Sequence, residues 1–317
     1  MALTEVDGTT TVLVEKDGSG GHKLAVVAGL DAGTTVGLEA GSEVIGAVEF
    51  VDESGVAYGV KHVDNKLRVS ATPYFIDIVE GNVPAHTAVN KFGHNSAVGA
   101  TLEAVWDYGG AYTYLADDTF ATMYLSSDAA ADTSMLFNIQ GIDDEYNFFS
   151  ANATTDASDG RTFVQIDTGS TGGDAWRIFR VINLSAKNQT GNIYISKDNT
   201  DAGGNGIPDT VTNIQAQVKA YAQQTLMSLW TVPLSKTAYI TRVYASTSTA
   251  KVSEIHLYVR PFGGVFNIKY IISLNANVYS HVYDFPISVA AKSDIKVMAS
   301  AAGGGGEISA GFDLWYE

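Results

Sequence analysis

From about residue 100 onward, the chain is a succession of short β-type segments separated by turn-like clusters, and this regularity constrains the fold more than any other feature. The segments are rich in β-branched and aromatic residues. They recur every 8–12 residues or so, a spacing typical of antiparallel sandwiches and barrels. The candidate strands up to residue 200 are TLEAVWDY, AYTYLA, ATMYLSS, SMLFNIQGI, YNFFSAN, RTFVQIDT, WRIFRVINL and GNIYISKD. No repeat of fixed period runs through the chain, which argues against propellers and solenoids.

A second series of candidate strands occupies the C-terminal third of the chain. Alternation is cleanest in EIHLYVR, where Ile255, Leu257 and Val259 are predicted to face the core and the residues between them to face outward. Pro233 and Pro286 are each expected between strands, where a missing N–H group costs little. The candidate strands of this series are TLMSLWTV, AYITRVYAST, SEIHLYVRPF, FNIKYIISL, VYSHVYDFP, SDIKVMAS and EISAGFDLWYE.

One segment between the two series favours a helix. In VTNIQAQVKAYAQQ, residues 211–224, Ile214, Val218 and Tyr221 fall at i, i+4 and i+7, and alanine and glutamine are good helix formers. We therefore predict a helix over residues 211–224.

Residues 1–95 have a different character. The stretch GTTTVLVEKDGSGGHKLAVVAG favours a β-hairpin around DGSGG. Residues 64–95 contain few consecutive core residues and favour an extended connector. The predicted fold is therefore all-β: an extended N-terminal arm with attachment hairpins over 1–95, a first antiparallel β-sandwich over 96–210, and a second, jelly-roll-like antiparallel β-sandwich over 211–317.

Composition excludes several classes of function. A formal net charge of −16, from 35 acidic and 19 basic residues, disfavours nucleic-acid binding. The absence of cysteine excludes disulfides, thiolate zinc sites and thiol nucleophiles. No apolar stretch approaches the roughly 20 residues of a membrane helix. The opening MALTEVDGTT lacks a secretory signal. We expect synthesis in a cytoplasm and no membrane partner.

No catalytic, cofactor-binding or metal-ligating residue is predicted. The sequence contains no HExxH motif and no GxSxG elbow. The acids of ADD, at Asp117 and Asp118, and of DDE, at 143–145, are expected to be solvated turn residues. The histidines are expected to be hydrogen-bonded or solvated loop residues; they lie at positions 22, 62, 86, 94, 256 and 281.

The loop over residues 198–209, DNTDAGGNGIPD, has a calcium-like pattern. Asp201, Asn205, Gly206, Ile207 and Asp209 are similar to the D-x-D-x-N-G-I-x-D calcium loops of thrombospondin-type repeats, in which oxygen ligands alternate. Position 203 is glycine where a second carboxylate is expected, and only one copy exists. A polar connector is the favoured interpretation, with calcium binding left open and no cofactor assigned.

The stretch WDYGGAYTYL, residues 106–115, gathers four aromatic residues around Gly109 and Gly110. Alternation of large residues on either side of two glycines predicts two short strands that meet at a glycine turn. We expect the aromatic residues to fill a sandwich core or a subunit contact. The alternative is an aromatic shelf that binds sugars or bases.

Several stretches resemble tailed-bacteriophage virion proteins. They are DNKLRVSATPYFIDI, WDYGGAYTYL, TMYLSSDAAADTSMLFNIQGIDDEYN and VRPFGGVFNIKYIISL, and VEKDGSGGHKLAVVAG is similar to attachment segments of phage head and tail appendages. The resemblance implies a virion structural protein without enzymatic activity, on the outer surface of a particle assembled in the host cytoplasm. It also implies a homotrimer, with the major capsid protein or tail proteins of the same virion as partners.

Two locations on the particle remain open. A capsid decoration (cement) protein that binds and stabilises the head is the favoured hypothesis, because an arm and two sandwiches suit reach across neighbouring subunits. The alternative is a tail fibre or baseplate component that attaches to a host receptor or polysaccharide. A competing enzymatic hypothesis is a polysaccharide depolymerase that uses acids such as Asp143 and Asp144, but the chain lacks the repetitive β-helix shaft of such enzymes.

Overall fold

The structure is a computed structural model that describes residues 74–317 throughout and, among residues 1–73, the strand segments only. The chain divides into two compact units, Met1–Pro73 and Tyr74–Glu317. Within the described residues, no helix combines the length and the apolar character needed to cross a bilayer.

The first unit contains short antiparallel strands. The main sheet has the order β1-β2-β3-β4-β7-β8, and two smaller pairs are β5 with β6 and β9 with β10. Lys16 at the end of β2 lies opposite His22 at the start of β3, as the predicted hairpin requires. Whether residues 1–73 act as an extended arm stays a prediction. The strands are β1 Ala2–Val6, β2 Thr10–Lys16, β3 His22–Val26, β4 Val36–Leu38, β5 Ala40–Gly41, β6 Val44–Ile45, β7 Glu49–Val51, β8 Ala57–Gly59, β9 His62–Val63 and β10 Lys66–Leu67.

The second unit is built almost entirely of strands. Apart from one short α-helix and one turn of 3-10 helix at Val211–Asn213, its regular structure is antiparallel β. The elements are α1 Tyr74–Glu80, β11 Thr87–Val98, β12 Glu103–Ala104, β13 Met123–Ser127, β14 Leu136–Asp143, β15 Phe148–Thr154, β16 Val164–Ile166, β17 Ala175–Asn183, β18 Ile193–Ser196, β19 Ile214–Val218, β20 Leu229–Thr231, β21 Ala238–Thr247, β22 Ser253–Arg260, β23 Asn267–Leu274, β24 Val278–Val289, β25 Asp294–Ala301 and β26 Gly306–Tyr316.

These strands form four antiparallel sheets with sandwich-like packing. The sheet β16-β13-β18-β19 packs against β15-β14-β17, through contacts of β17 with β19 and of β15 with β16. The sheet β11-β26-β21-β24 meets β12-β25-β22-β23, which β20 extends by pairing with β25. The all-β class with sandwich packing is therefore confirmed.

The strands do not follow the expected boundaries along the chain. The expected boundary between residues 95 and 96 falls inside β11, which pairs along its length with the C-terminal strand β26. The boundary between residues 210 and 211 separates β18 from β19, although the two pair. Thr87–Val98 therefore belongs to a sheet and is not an extended connector.

The helix predicted over residues 211–224 is wrong. After the 3-10 turn, Ile214–Val218 forms strand β19, and all five of its residues are buried. Ile214, Ala216 and Val218 also fit a period of two, so the apolar pattern did not discriminate between helix and strand. The glutamines between them are buried by tertiary contact: Gln215 accepts a hydrogen bond from the Tyr112 hydroxyl at 3.2 Å.

The alternation predicted for EIHLYVR is largely confirmed. Ile255, Leu257 and Val259 are buried. His256, which was expected to face outward, is buried as well. Its neighbours across the sheet, Ile271 on β23 and Met298 on β25, flank it on both sides. Because β22 has a neighbouring strand on each side, His256 is buried although it lies on the face that was expected to be exposed.

Candidate functional site

The WDYGGAYTYL stretch forms a glycine turn but neither of the two predicted strands: β12 ends before it, at Ala104, and Trp106 makes only an isolated β-bridge with Met227. Gly109 and Gly110 have φ values of 77° and 67°, so the predicted turn is confirmed. The AYTYLA segment is not a strand. Trp106 and Tyr112 are buried in the core, with ring centroids 5.1 Å apart and nearly perpendicular planes. The expected core role of the aromatic residues is therefore confirmed for these two.

The acids considered for catalysis have structural partners. Asp143 is buried, and its Oδ1 accepts hydrogen bonds from the backbone N–H groups of Glu145 at 2.9 Å and Asn147 at 2.8 Å. Burial raises the pKa of Asp143. The Asp118 carboxylate accepts a hydrogen bond from the Tyr146 hydroxyl. The expectation of solvated turn acids is thus wrong for Asp143, because its side chain is buried and accepts hydrogen bonds from the backbone of the turn.

A buried ion-pair network, which we call the charged junction, joins distant parts of the chain. Its centre is Asp294 on β25, which is 1% exposed. Arg177 on β17 donates two hydrogen bonds to it, Nε to Oδ1 at 2.9 Å and Nη2 to Oδ2 at 3.1 Å. Thr231 donates to Oδ1 at 2.6 Å, and Arg260 Nε donates to Oδ2 at 3.0 Å. Arg260 also bonds Asp117 at 3.1 Å, so Asp117 is not a solvated turn acid either.

The charged junction has a structural rather than a chemical role. Each Asp294 oxygen accepts more than one hydrogen bond, and the guanidinium of Arg177 lies 3.9 Å from the Trp176 ring centroid. A buried ion pair with all its polar atoms satisfied adds specificity and connects the elements that carry it. Here it connects β17 of one sandwich to β22 and β25 of the other.

The histidines and the calcium-like loop are the candidate metal ligands of the sequence. Within the part of the chain that the structure describes, no group of three or more His, Asp or Glu side chains is placed to hold a metal ion. Five histidines lie in strands, contrary to the expectation of loop residues: His22, His62, His94, His256 and His281; His86 directly precedes a strand. In the loop, Asp201 accepts from the Gly206 N–H at 2.6 Å and Asp209 from the Ala202 N–H at 2.9 Å. These backbone bonds hold the loop together, and whether it binds calcium stays open.

Strand β24 carries a large bulge at a sheet edge. Ile240 on β21 pairs with Ile287, but Arg242 pairs with Val282, so residues 283–286 lie opposite a single residue. Pro286 lies inside this bulge, within β24. The prediction that Pro286 lies between strands is therefore wrong. A proline is tolerated here because β24 is the outermost strand of its sheet. The bulge projects Phe285, which is 90% exposed.

Helix α1 extends the apolar character of this region. Within α1, the side chain of Ile78 is buried, whereas Phe75 and Val79 are 66% and 70% exposed. Phe75, Val79 and Val282 line a mainly apolar groove of about 580 Å³ whose wall includes Trp315. We call Phe75, Val79, Val278, Val282 and Phe285 the apolar contact surface; the first two line the groove together with Val282, and Val278 and Phe285 lie on the same strand as Val282. All five side chains are more than half exposed.

Sequence reasoning missed both the charged junction and the apolar contact surface. Asp294 is 117 residues from Arg177, and nothing local marks the pair. A signal for the apolar contact surface was present in VYSHVYDFP. Alternation places Val278 and Val282 on one face, with Ser280 and Asp284, and Tyr279, His281 and Tyr283 on the other, so both faces carry apolar or aromatic residues. An edge strand with exposed apolar residues on both faces indicates a contact surface.

Comparison with known proteins adds no relative. No known family model and no curated protein sequence matches this chain.

Proposed function

We propose that the chain is a non-enzymatic structural protein of a tailed-bacteriophage virion, namely a capsid decoration (cement) protein that binds and stabilises the head. The observation that carries the proposal is the apolar contact surface. Monomeric proteins rarely expose large contiguous apolar patches, and such patches mark contacts with other proteins. The occupant that we propose is the major capsid protein of the same particle.

The geometry of the apolar contact surface supports a role in protein assembly. Aromatic side chains that enter a partner's pocket supply a large part of the energy of protein interfaces. Phe285 stands at 90% exposure on a bulge fixed by the pairing of β24 with β21. The side chain is therefore accessible to a partner, next to the paired residues Val282 and Ile287.

The finer architecture belongs to the same proposal. Residues 1–73, the part of the expected arm that precedes α1, serve as an extended attachment region, the two sandwiches form a knob on the outer surface of the virion, the second sandwich is jelly-roll-like, and the protein is a homotrimer. Light scattering on the purified protein tests the trimer, which requires a mass three times that of one chain. A mass equal to that of one chain at micromolar concentration contradicts it.

The alternative is a tail fibre or baseplate component that takes part in host attachment. The ratio of this protein to the major capsid protein in purified virions separates the two locations. Near-stoichiometric abundance supports decoration of the head. A handful of copies per particle moves the protein to the tail, and absence from virions overturns the virion assignment altogether.

Rebinding to particles that lack the protein tests the apolar contact surface itself. We expect Phe285→Ala to weaken binding by about thirtyfold, the effect of losing roughly 2 kcal/mol at an interface anchor. The matched control is Val211→Ala, which truncates an apolar residue that is 57% exposed outside the surface. Equal affinities for the two variants contradict the proposed docking face.

The absence of enzymatic activity is tested on the host polysaccharide. The purified protein is expected to release no reducing ends from host capsule. If it does release them, and Asp143→Asn and Asp144→Asn stop the release, the depolymerase hypothesis replaces ours.

A further inference from the structure

A polar groove of about 620 Å³ opens where four stretches of the chain meet. One wall comes from the end of β11 and a second from residues 103–110; the third comes from Asn192, just before β18, and from residues 217–220 at the end of β19. The groove lies between sheets of the two sandwiches, a common position for ligand sites. Its polar lining includes Asn95, Glu103, Asp107, Asn192 and Lys219.

The WDYGG turn forms a rigid wall of this groove. The Gly109 N–H donates to the Trp106 carbonyl at 3.0 Å, and the Gly110 carbonyl accepts from the Ala104 N–H at 3.1 Å and from the Trp106 indole at 3.3 Å. Tyr108, partly exposed, lines the groove while its ring packs 5.4 Å from the buried Trp106 ring. The turn therefore holds an aromatic ring in a fixed position beside polar groups.

Asp107 is the unexplained feature of this wall. Its side chain is 1% exposed. Oδ2 accepts one hydrogen bond, from the Leu226 N–H at 3.2 Å, whereas the buried Oδ1 has no hydrogen-bond partner among the described residues. The nearest cation, Lys219 Nζ, is 3.8 Å from Oδ1, beyond hydrogen-bond range. Burial, the dominant effect, raises the pKa of Asp107 to about 6, against the opposing influence of Lys219.

A buried acceptor without a donor is costly to the free protein. Native structures satisfy nearly all buried polar groups, so each exception calls for an explanation. Asp107 differs from a merely unsatisfied atom because it lines a groove and its pKa is raised, a combination that marks candidate functional residues. Glu103 contributes a second carboxylate: its Oε1 accepts from Asn95 at 3.0 Å and from the Gly99 N–H at 2.8 Å, which fixes the side chain at the groove.

These groups match the chemistry of a sugar. Adjacent hydroxyls donate to carboxylates and accept from an ammonium group, and the apolar face of a pyranose packs on an aromatic ring. Two carboxylates against one lysine, on a chain of net charge −16, disfavour an anionic ligand. We propose that the groove binds a neutral or amino-bearing saccharide, with Asp107 and Glu103 as hydroxyl acceptors and Tyr108 as the stacking platform. The proposal goes beyond the virion assignment and does not depend on it.

Isothermal titration and saturation-transfer NMR on the full chain test the proposal with defined probes. These are the hexasaccharides of glucose, mannose, N-acetylglucosamine and glucosamine, with a hyaluronan hexasaccharide as the anionic comparison. We expect at least one neutral or amino sugar to bind with a dissociation constant below about 1 mM, a free energy of about −4 kcal/mol. Binding of none of these four, or tighter binding of hyaluronan, overturns the proposal.

Variants separate the groove from the rest of the molecule. We expect Tyr108→Ala and Asp107→Asn each to weaken binding of that sugar at least tenfold, Tyr108→Phe to retain it within about twofold, and the exposed-acid control Glu254→Gln to leave it unchanged. Thermal unfolding checks that each variant is folded. Undiminished binding by folded Tyr108→Ala and Asp107→Asn places the sugar elsewhere and overturns the proposal.

Discussion

The charged junction and the polar groove each contain a buried aspartate, and the two carboxylates are satisfied very differently. Asp294 in the junction accepts hydrogen bonds from two arginines and a threonine. Asp107 in the groove accepts one hydrogen bond from a backbone N–H and leaves Oδ1 without a donor. Burial alone therefore does not reveal the role of a carboxylate. The first aspartate maintains the fold, and the second keeps an acceptor free at a cost in stability.

The largest expected effect is the loss of the junction. Removing one partner of a buried ion pair leaves an uncompensated charge, so we expect Asp294→Ala to lower the free energy of unfolding by about 3–5 kcal/mol. Urea denaturation at pH 7 measures the change. A loss below about 1 kcal/mol contradicts the structural role of the junction, because an exposed pair has an effect of that size.

Asp107→Asn is expected to change stability in the opposite direction. The folded-state pKa of about 6 exceeds the ordinary 3.8, so the folded protein binds more protons between these values and loses stability as the pH rises from about 4 to 6. The amide carries no charge and avoids this loss. We expect it to raise the free energy of unfolding by about 2–3 kcal/mol at pH 7.5 and by little at pH 3.5. A destabilised variant at pH 7.5 indicates that Asp107 is structural.

The hydrogen bonding of Asp143 is intermediate between that of Asp294 and that of Asp107. Its carboxylate is buried but bonded only to two backbone N–H groups in one turn. Both groups belong to exposed residues, where water replaces the lost acceptor. Asp143→Ala is therefore expected to lower the free energy of unfolding by about 1 kcal/mol. Chemical denaturation compares this loss with the larger one expected for Asp294→Ala. An equally large loss for Asp143→Ala contradicts the difference proposed between the Asp143 turn and the charged junction.

The smallest effect is expected at an exposed carboxylate. The Glu254 side chain is 56% exposed, and within residues 74–317 its one ion-pair contact is with His256 at 3.5 Å. Glu254→Gln is expected to change the free energy of unfolding by less than about 0.5 kcal/mol. The same denaturation experiment provides the baseline against which the three buried aspartates are judged.

Much of the fold was predictable from the sequence because the signals are local. Strands from Met123 to Tyr316 coincide with alternating apolar segments, and Gly109 and Gly110 form the turn that their lack of a Cβ predicts. The failure at residues 211–224 has a physical cause. Burial on both faces of β19, partly by Tyr112, overrode the helix propensity of alanine and glutamine.

The sites were less predictable because they depend on contacts between distant residues. WDYGGAYTYL drew attention for its aromatic residues, yet the atom that marks the groove belongs to Asp107, the acid between two of them. Its lack of a donor depends on Lys219 and Leu226, more than 100 residues away. Likewise, the exposure of Phe285 depends on a bulge set by pairing with β21.

The titration of the Asp107 carboxyl group tests the central claim most directly. In protein carrying ¹³C-labelled aspartate, the carboxyl resonance is assigned by its absence from the Asp107→Asn variant and followed from pH 3 to 8. An acceptor held out of water without a donor, with Lys219 nearby, is predicted to titrate with a midpoint near pH 6. A midpoint at or below the ordinary value of 3.8 shows that the carboxylate is already satisfied in the free protein, and it contradicts the account of the groove.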